Sequence, residues 1–231
     1  MNFLSARWEN LLMANYIVNP ECLQPYCPKG TRIDQLDGRI FVSLVAFWFE
    51  DARIMGLPIP GHQRFEEVNL RFYVTPNYDS KIRGVTFIQE VVPRTSIAIV
   101  ANALFNERYV KRPMSHKFGN LSFSYSWGAN LQNQFSAKVS KDSSLPSKNS
   151  VEEFITEHYF GYSCARHGSL EYRVRHPQWE CRQVEAFDLS VKFGEDYGPD
   201  FAFLDDQSPF NVLFAAGSQV TASFPRLLKS K

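Results

Sequence analysis

Apolar and polar side chains alternate most regularly over EEVNLRFYV, where Val68, Leu70, Phe72 and Val74 share one face and Glu67, Asn69, Arg71 and Tyr73 the other. A period of two residues is that of a β-strand with two unlike faces. The same period recurs in LSFSYSW, whose Leu121, Phe123, Tyr125 and Trp127 oppose serines, and in NQFSAKV, where Phe135, Ala137 and Val139 align. Together these two predict a hairpin. The run IFVSLVAFWF, entered from the Asp37-Gly38 turn, predicts a buried strand, and IRGVTFIQEVV another from its β-branched and aromatic content. SLEYRVRH, CRQVEAFDLSVKF and FNVLFAAGSQVTASF are again strand-like, the last two parted by YGPDF and DDQSP turns.

Helical spacing is rarer. Residues 7–18 set Trp8, Leu11, Leu12 and Tyr16 on one helical face and predict a short helix docked on the sheet. Arg94 to Phe105 carries the stripe Ile97, Ala98, Ala101, Leu104 and Phe105 and predicts a second helix. Ser150 as N-cap, with Glu153 at the capping-box position, starts a third over VEEFITEHY. The segment before it, SKDSSLPSKNS, has a composition that cannot form a core and is expected to be a solvated loop. Some eight to ten strands against two or three helices, without regular alternation of the two, predict a mainly β fold with a few peripheral helices. At 231 residues the chain falls in the range of roughly 200–250 that a sandwich or barrel fills as one unit, so residues 1–231 are expected to form a single domain.

With 25 basic against 24 acidic residues and a net charge of +1, no basic footprint for a phosphate backbone exists, and nucleic acid is not an expected partner. The first residues lack the basic segment and cleavage site of a secretion signal, and no apolar run reaches the roughly 18 residues of a spanning helix. A soluble cytoplasmic protein with no membrane partner is expected; the oligomeric state stays open, a homo-oligomer included. Cys22, Cys27, Cys164 and Cys181 form no CxxC pair and are expected to be free, mostly buried thiols, with no metal site and no cofactor. Nucleotide-binding loops, the GxSxG elbow and HExxH are absent from the sequence.

The candidate chemistry lies first on the polar face of Glu67, Asn69, Arg71 and Tyr73, with Glu66 on the opposite face. Inside a closed barrel, Arg71 would clamp a carboxylate and Glu67 would orient it or move a proton. On a sheet with one wet face the same residues would form a solvated network, and the spacing does not choose. A second cluster, Asn106-Glu107-Arg108-Tyr109-Val110-Lys111, offers Glu107 and Tyr109 as an inward-facing pair. Lys111 is there either a nucleophilic amine or, between Arg108 and Arg112, a solvated cation. His158, after the third helix, and His176, near Trp179 in HPQW, are acid, base or ligand-binding candidates; the alternative is an imidazole that satisfies a backbone group.

The segments PKGTRIDQLDGRIFVSLVAF, FEEVNLRFYV, RGVTFIQEVVP, NERYVKRPM, EEFITEHYFGYS and EYRVRHPQW resemble, in order and spacing, the YqjF-like family of the acetoacetate-decarboxylase-like superfamily. The resemblance implies a closed barrel of mostly antiparallel strands around a central cavity. In the decarboxylase a cavity lysine forms a Schiff base with the keto acid. The matching stretch is ANALFNERYVKRPM, with Asn102 at an arginine position, Arg108 at a proline and Tyr109 at the lysine. A phenol forms no imine, which disfavours the parent reaction. The leading expectation is a polar cavity that binds a small carboxylate or carbonyl compound. The rivals are a lyase that uses Lys111 as a displaced amine and a non-catalytic interaction domain whose lumen is filled by aromatic side chains.

Overall fold

The computed structural model describes residues 2–166 and 168–228. Its elements are β1 (Asn2–Ile17), α1 (Pro20–Leu23), β2 (Thr31–Ile33), β3 (Phe41–Ile54), β4 (Leu57–Pro58), β5 (Phe65–Pro76), β6 (Gly84–Val92), α2 (Thr95–Phe105), β7 (Tyr109–Lys111), β8 (Met114–Phe118), β9 (Ser122–Trp127) and β10 (Asn133–Ser144). There follow α3 (Val151–Thr156), β11 (Phe160–Ala165), β12 (Gly168–Arg175), β13 (Cys181–Ser190), α4 (Phe193–Tyr197), β14 (Asn211–Ser223) and β15 (Arg226–Leu228).

The fold is mainly β. One 15-stranded sheet runs in the order β15-β12-β11-β6-β5-β3-β1-β14-β13-β10-β9-β8, with β2 on β5, β4 on β3 and β7 on β6; β12 also pairs with β14. The pairings are antiparallel except those of β6 with β11 and with β7, which are parallel. The sheet is thus mostly antiparallel, with β6 as the exception.

Residues of β5 are buried throughout, because each face meets its own core. Val68, Leu70, Phe72 and Val74 pack with Leu12, Leu44, Tyr125 and Phe214 on one side. Tyr73 belongs to a second core with Met13, Val45, Phe105 and Trp179. The polar face of β5 thus points into protein, not into solvent. The predicted hairpin forms as β9 and β10 in the register Phe135↔Tyr125.

Residues 7–18 form no helix; residues 7–17 are the middle and end of β1. The helix-like spacing has a local cause. Asn10 adopts φ 56°, and the register with β3 slips between Glu9 and Leu12. This bulge shifts the alternation by one residue, so Trp8 and Leu11, three apart, turn to the same side. The carbonyl of Asn10 accepts a hydrogen bond from the Tyr125 hydroxyl at 2.9 Å. Opposite the bulge, Gly217 has φ 87°, and a Cβ there would lie 1.9 Å from the Trp8 carbonyl oxygen.

The second and third helices form as α2 and α3. At α3 the Ser150 hydroxyl accepts from the Glu153 amide at 3.1 Å, while the Glu153 carboxylate accepts from the amide of Asn149 at 2.5 Å rather than from that of Ser150. The expected loop over residues 140–150 begins as strand, since β10 continues to Ser144. The four cysteines are free thiols; Cys164 is exposed and the other three half-buried, which corrects the expectation of mostly buried thiols. No described helix is long and apolar enough to cross a membrane.

Candidate functional site

Strand register gathers three glutamates. Glu67 and Asn69 lie two apart on the inner face of β5, and Asn69 pairs across to Glu90 on β6. Glu90 in turn pairs with Tyr109 on β7. Helix α2 ends at Asn106, whose left-handed φ of 52° turns the chain back. The side chain of Asn102 then grips the returning segment: its amide donates to the Tyr109 carbonyl at 3.0 Å and its oxygen accepts from the Tyr109 amide at 2.7 Å. This pair of hydrogen bonds holds Glu107 and Tyr109 against β6. From β12, the Tyr172 hydroxyl donates to Glu107 Oε1 at 2.5 Å. Gly161 faces Tyr172 across the β11–β12 pair, and any Cβ there would meet the phenol ring at 2.1 Å.

These groups line a cavity of about 320 Å³ shared by Glu67, Arg71, Glu90, Glu107, Tyr109, His158, Tyr172, His176 and Trp179. Glu67 and Glu90 are almost fully buried, and burial disfavours a carboxylate ion. Desolvation raises the Glu67 carboxyl to about 7, against the opposing hydrogen bonds of Asn69 and Tyr109 and the charge of Arg71. Desolvation likewise raises Glu107 to about 8, opposed by the Tyr172 hydroxyl and reinforced by the charge of Glu67. Glu90 is pushed well above the carboxylate range by burial and then by the charges of Glu107 and Glu67. One oxygen of Glu90, Oε2, and Nε of Arg71 have no hydrogen-bonding partner among the described residues. Arg71 Nη2 donates to the Ile155 carbonyl at 3.3 Å, so the protein leaves part of the hydrogen-bonding capacity of these two lining residues unused.

Asn69, Tyr73, Asn106 and Lys111 lie outside the cavity lining, whereas His158 and His176 are within it. Asn69 supports Glu67 from behind, donating to its Oε1 at 3.1 Å. Tyr73 is in the second core, its hydroxyl 2.6 Å from Ser43 Oγ. Asn106 is exposed and donates to the Cys164 carbonyl. Lys111 is exposed, and no lysine is among the described residues that line the cavity. Glu66, on the Val68 face of β5, meets His116 at 2.6 Å. His158 is held neutral, its value lowered by burial and by Arg83 and Arg71. His176 is stacked on Tyr159 and Trp179, with centroids 4.8 and 4.1 Å apart. Sequence reasoning missed Glu90 and Tyr172. Glu90 had a signal, since it is the one charged residue in the buried strand GVTFIQEVV; Tyr172 had none beyond its place in a strand.

The architecture is that of acetoacetate-decarboxylase-like proteins. The chain superposes with a TM-score of 0.67 and 12% identity on an acetoacetate decarboxylase-like enzyme from Sphingomonas wittichii RW1, over 100% of this chain and 95% of that one. With the enduracididine biosynthesis enzyme MppR, solved with pyruvate, the TM-score is 0.67 and the identity 10%, over 99% and 91% of the two chains. The chain belongs to the DUF2071 family, described as "uncharacterized conserved protein", whose profile matches residues 5–219. The chain is also similar to the uncharacterized protein YqjF of Bacillus subtilis (strain 168), 28% identical over 189 residues, which are 80% of this chain and 76% of the relative.

Proposed function

We propose that the cavity binds a small organic carbonyl or carboxylate compound, with Arg71 as the anion clamp and Glu67 and Glu107 as the groups that hold and exchange a proton with it. The observation that carries this reading is Arg71, the one arginine among the described residues that line the cavity, its Nε unpaired, beside buried Glu67 and Glu90 and half-buried Glu107 around a space of about 320 Å³. Three ionised carboxylates would repel an anion. Held largely uncharged, they leave Arg71 free to attract one, and a protonated carboxyl can itself donate to a carbonyl oxygen. Groups that titrate near neutral pH are also suited to proton transfer.

On this reading the ring of pairings through β12, β11, β6, β5, β3, β1 and β14 is a closed barrel with the cavity as its lumen. The pyruvate held by MppR favours a keto acid as the first ligand to test. Free thiols fit a reducing compartment, and the reading places the protein in the cytoplasm. The lyase reading needs an amine in the cavity, and Lys111 is exposed outside its lining.

Calorimetric titration with pyruvate and related keto acids, aldehydes and carboxylates, followed by borohydride treatment and intact mass, tests the proposal. Saturable binding that weakens at least about tenfold in Arg71→Gln, the loss of a charged hydrogen bond, with no covalent adduct, is expected. Absence of saturable binding across the panel would overturn it. A trapped adduct that Lys111→Ala abolishes would move the protein to the lyase reading.

A further inference from the structure

The cavity has two unlike ends. Its carboxyl end is closed, with Glu67 at 3% and Glu90 at 1% exposure. Its other end reaches Ile59 and Val100, which are 39% and 45% exposed and also line it. That end is the mouth. It lies between the segment after β4 and the first turns of α2, where the His62 ring, donating from Nδ1 to the Pro60 carbonyl, accepts the Ser96 hydroxyl at 2.6 Å.

Between the ends, the lining contributed by β1, β3 and α2 is apolar apart from Ser96, with Phe49, Ile97, Ala101 and Phe105 among its members, and Phe65 and Phe87 extend it from β5 and β6. The volume of about 320 Å³ equals that of roughly ten waters at about 30 Å³ each. A three- or four-carbon keto acid would occupy only the carboxyl end and leave the aromatic stretch facing water, where apolar surface gains nothing.

We infer that the ligand is amphipathic: a carbonyl or carboxyl head at Arg71 and the glutamates, and an aliphatic or aromatic tail that fills the stretch between Phe49, Phe87 and Phe105 toward the mouth. The inference rests on the binding reading above and adds the class of the compound. Each methylene buried in that stretch contributes about 0.8 kcal/mol, which is about fourfold in affinity. Because the walls are preformed, the gain stops once the mouth is reached.

A series of straight-chain 2-keto acids, from pyruvate to roughly a ten-carbon homologue, titrated into the protein and into Ala101→Trp decides the matter. Expected is affinity that rises about fourfold per methylene to roughly eight carbons and then flattens. Ala101→Trp should erase that rise, lowering the affinity of the eight-carbon acid far more than that of pyruvate. If Ala101→Trp does not fold, Val100→Trp at the exposed rim applies the same block. A series of equal affinities that still depends on Arg71 would overturn the tail and leave the binding reading intact. A rise that neither tryptophan blocks would place the tail elsewhere and overturn the inference, and no binding at any length would overturn both.

Discussion

Glu67, Glu90 and Glu107 share one hydrophobic enclosure with one guanidinium, and the consequence is a defined pH dependence of stability. A carboxyl whose folded value is raised binds its proton in the folded state at pH values where the unfolded chain has lost it. Stability therefore falls as pH rises, beginning near the ordinary carboxyl value of 4.5 and ending above the folded values of about 7 and 8 for Glu67 and Glu107. Glu67→Gln and Glu107→Gln keep the shape and remove the titration. Each should flatten the fall of Tm expected of the natural protein between pH 5 and pH 9, and a Tm profile unchanged by both would refute the assignment. Tyr172→Phe removes the hydroxyl that lowers Glu107, so the carboxyl should titrate still higher, as read from its 13C shift. The same ionisation governs the ligand: anion affinity should decline through pH 7–8, as Glu67 and Glu107 become negative beside Arg71.

At the scale of elements, what could be read in the sequence depended on whether local pattern and tertiary setting agreed. In β5 they agree, and the two faces fall as the alternation requires; which face met solvent was undetermined, because two cores and one core produce the same alternation. In β1 they conflict. A bulge at Asn10 changes the parity of the strand, and a parity change is indistinguishable from helical spacing over a few residues. The signal was split between Asn10 and Gly217, which are brought together only by pairing. Gly217→Ala should consequently cost about 2 kcal/mol or more, since its Cβ would sit 1.9 Å from a backbone oxygen. Gly38→Ala, with a similar φ of 77° but nothing within 4 Å, isolates the cost of the left-handed backbone at about 1–2 kcal/mol. Equal losses of stability in the two variants would argue against a close-packed bulge. The candidate site was legible in the same uneven way: Glu67, Arg71, Glu107 and Tyr109 stood in polar clusters, whereas Glu90 and Tyr172 join them only through cross-strand register.

For the whole molecule, two cores on opposite faces of β1, β3 and β5 imply an uneven distribution of stability. Opening those strands exposes both cores at once, so their amides should exchange only through global unfolding. Helix α2 is different. It buries only Ala98 and Phe105 fully, leaves Ile99, Val100 and Leu104 exposed, and forms one wall of the cavity through Ile97 and Ala101. Its opening costs little buried area, and the same helix flanks the mouth through which a ligand passes. Hydrogen exchange should then show α2 amides protected far less than those of β5 in the free protein. A ligand spanning the cavity would add its binding free energy to α2, about 2.7 kcal/mol at a hundredfold excess over Kd, or roughly a hundredfold slower exchange there. A ligand confined to the carboxyl end would instead leave α2 exchanging as before and slow only the segment of Glu107 and Tyr109. The pattern of protection across these two adjoining segments therefore reports where in the cavity the ligand lies.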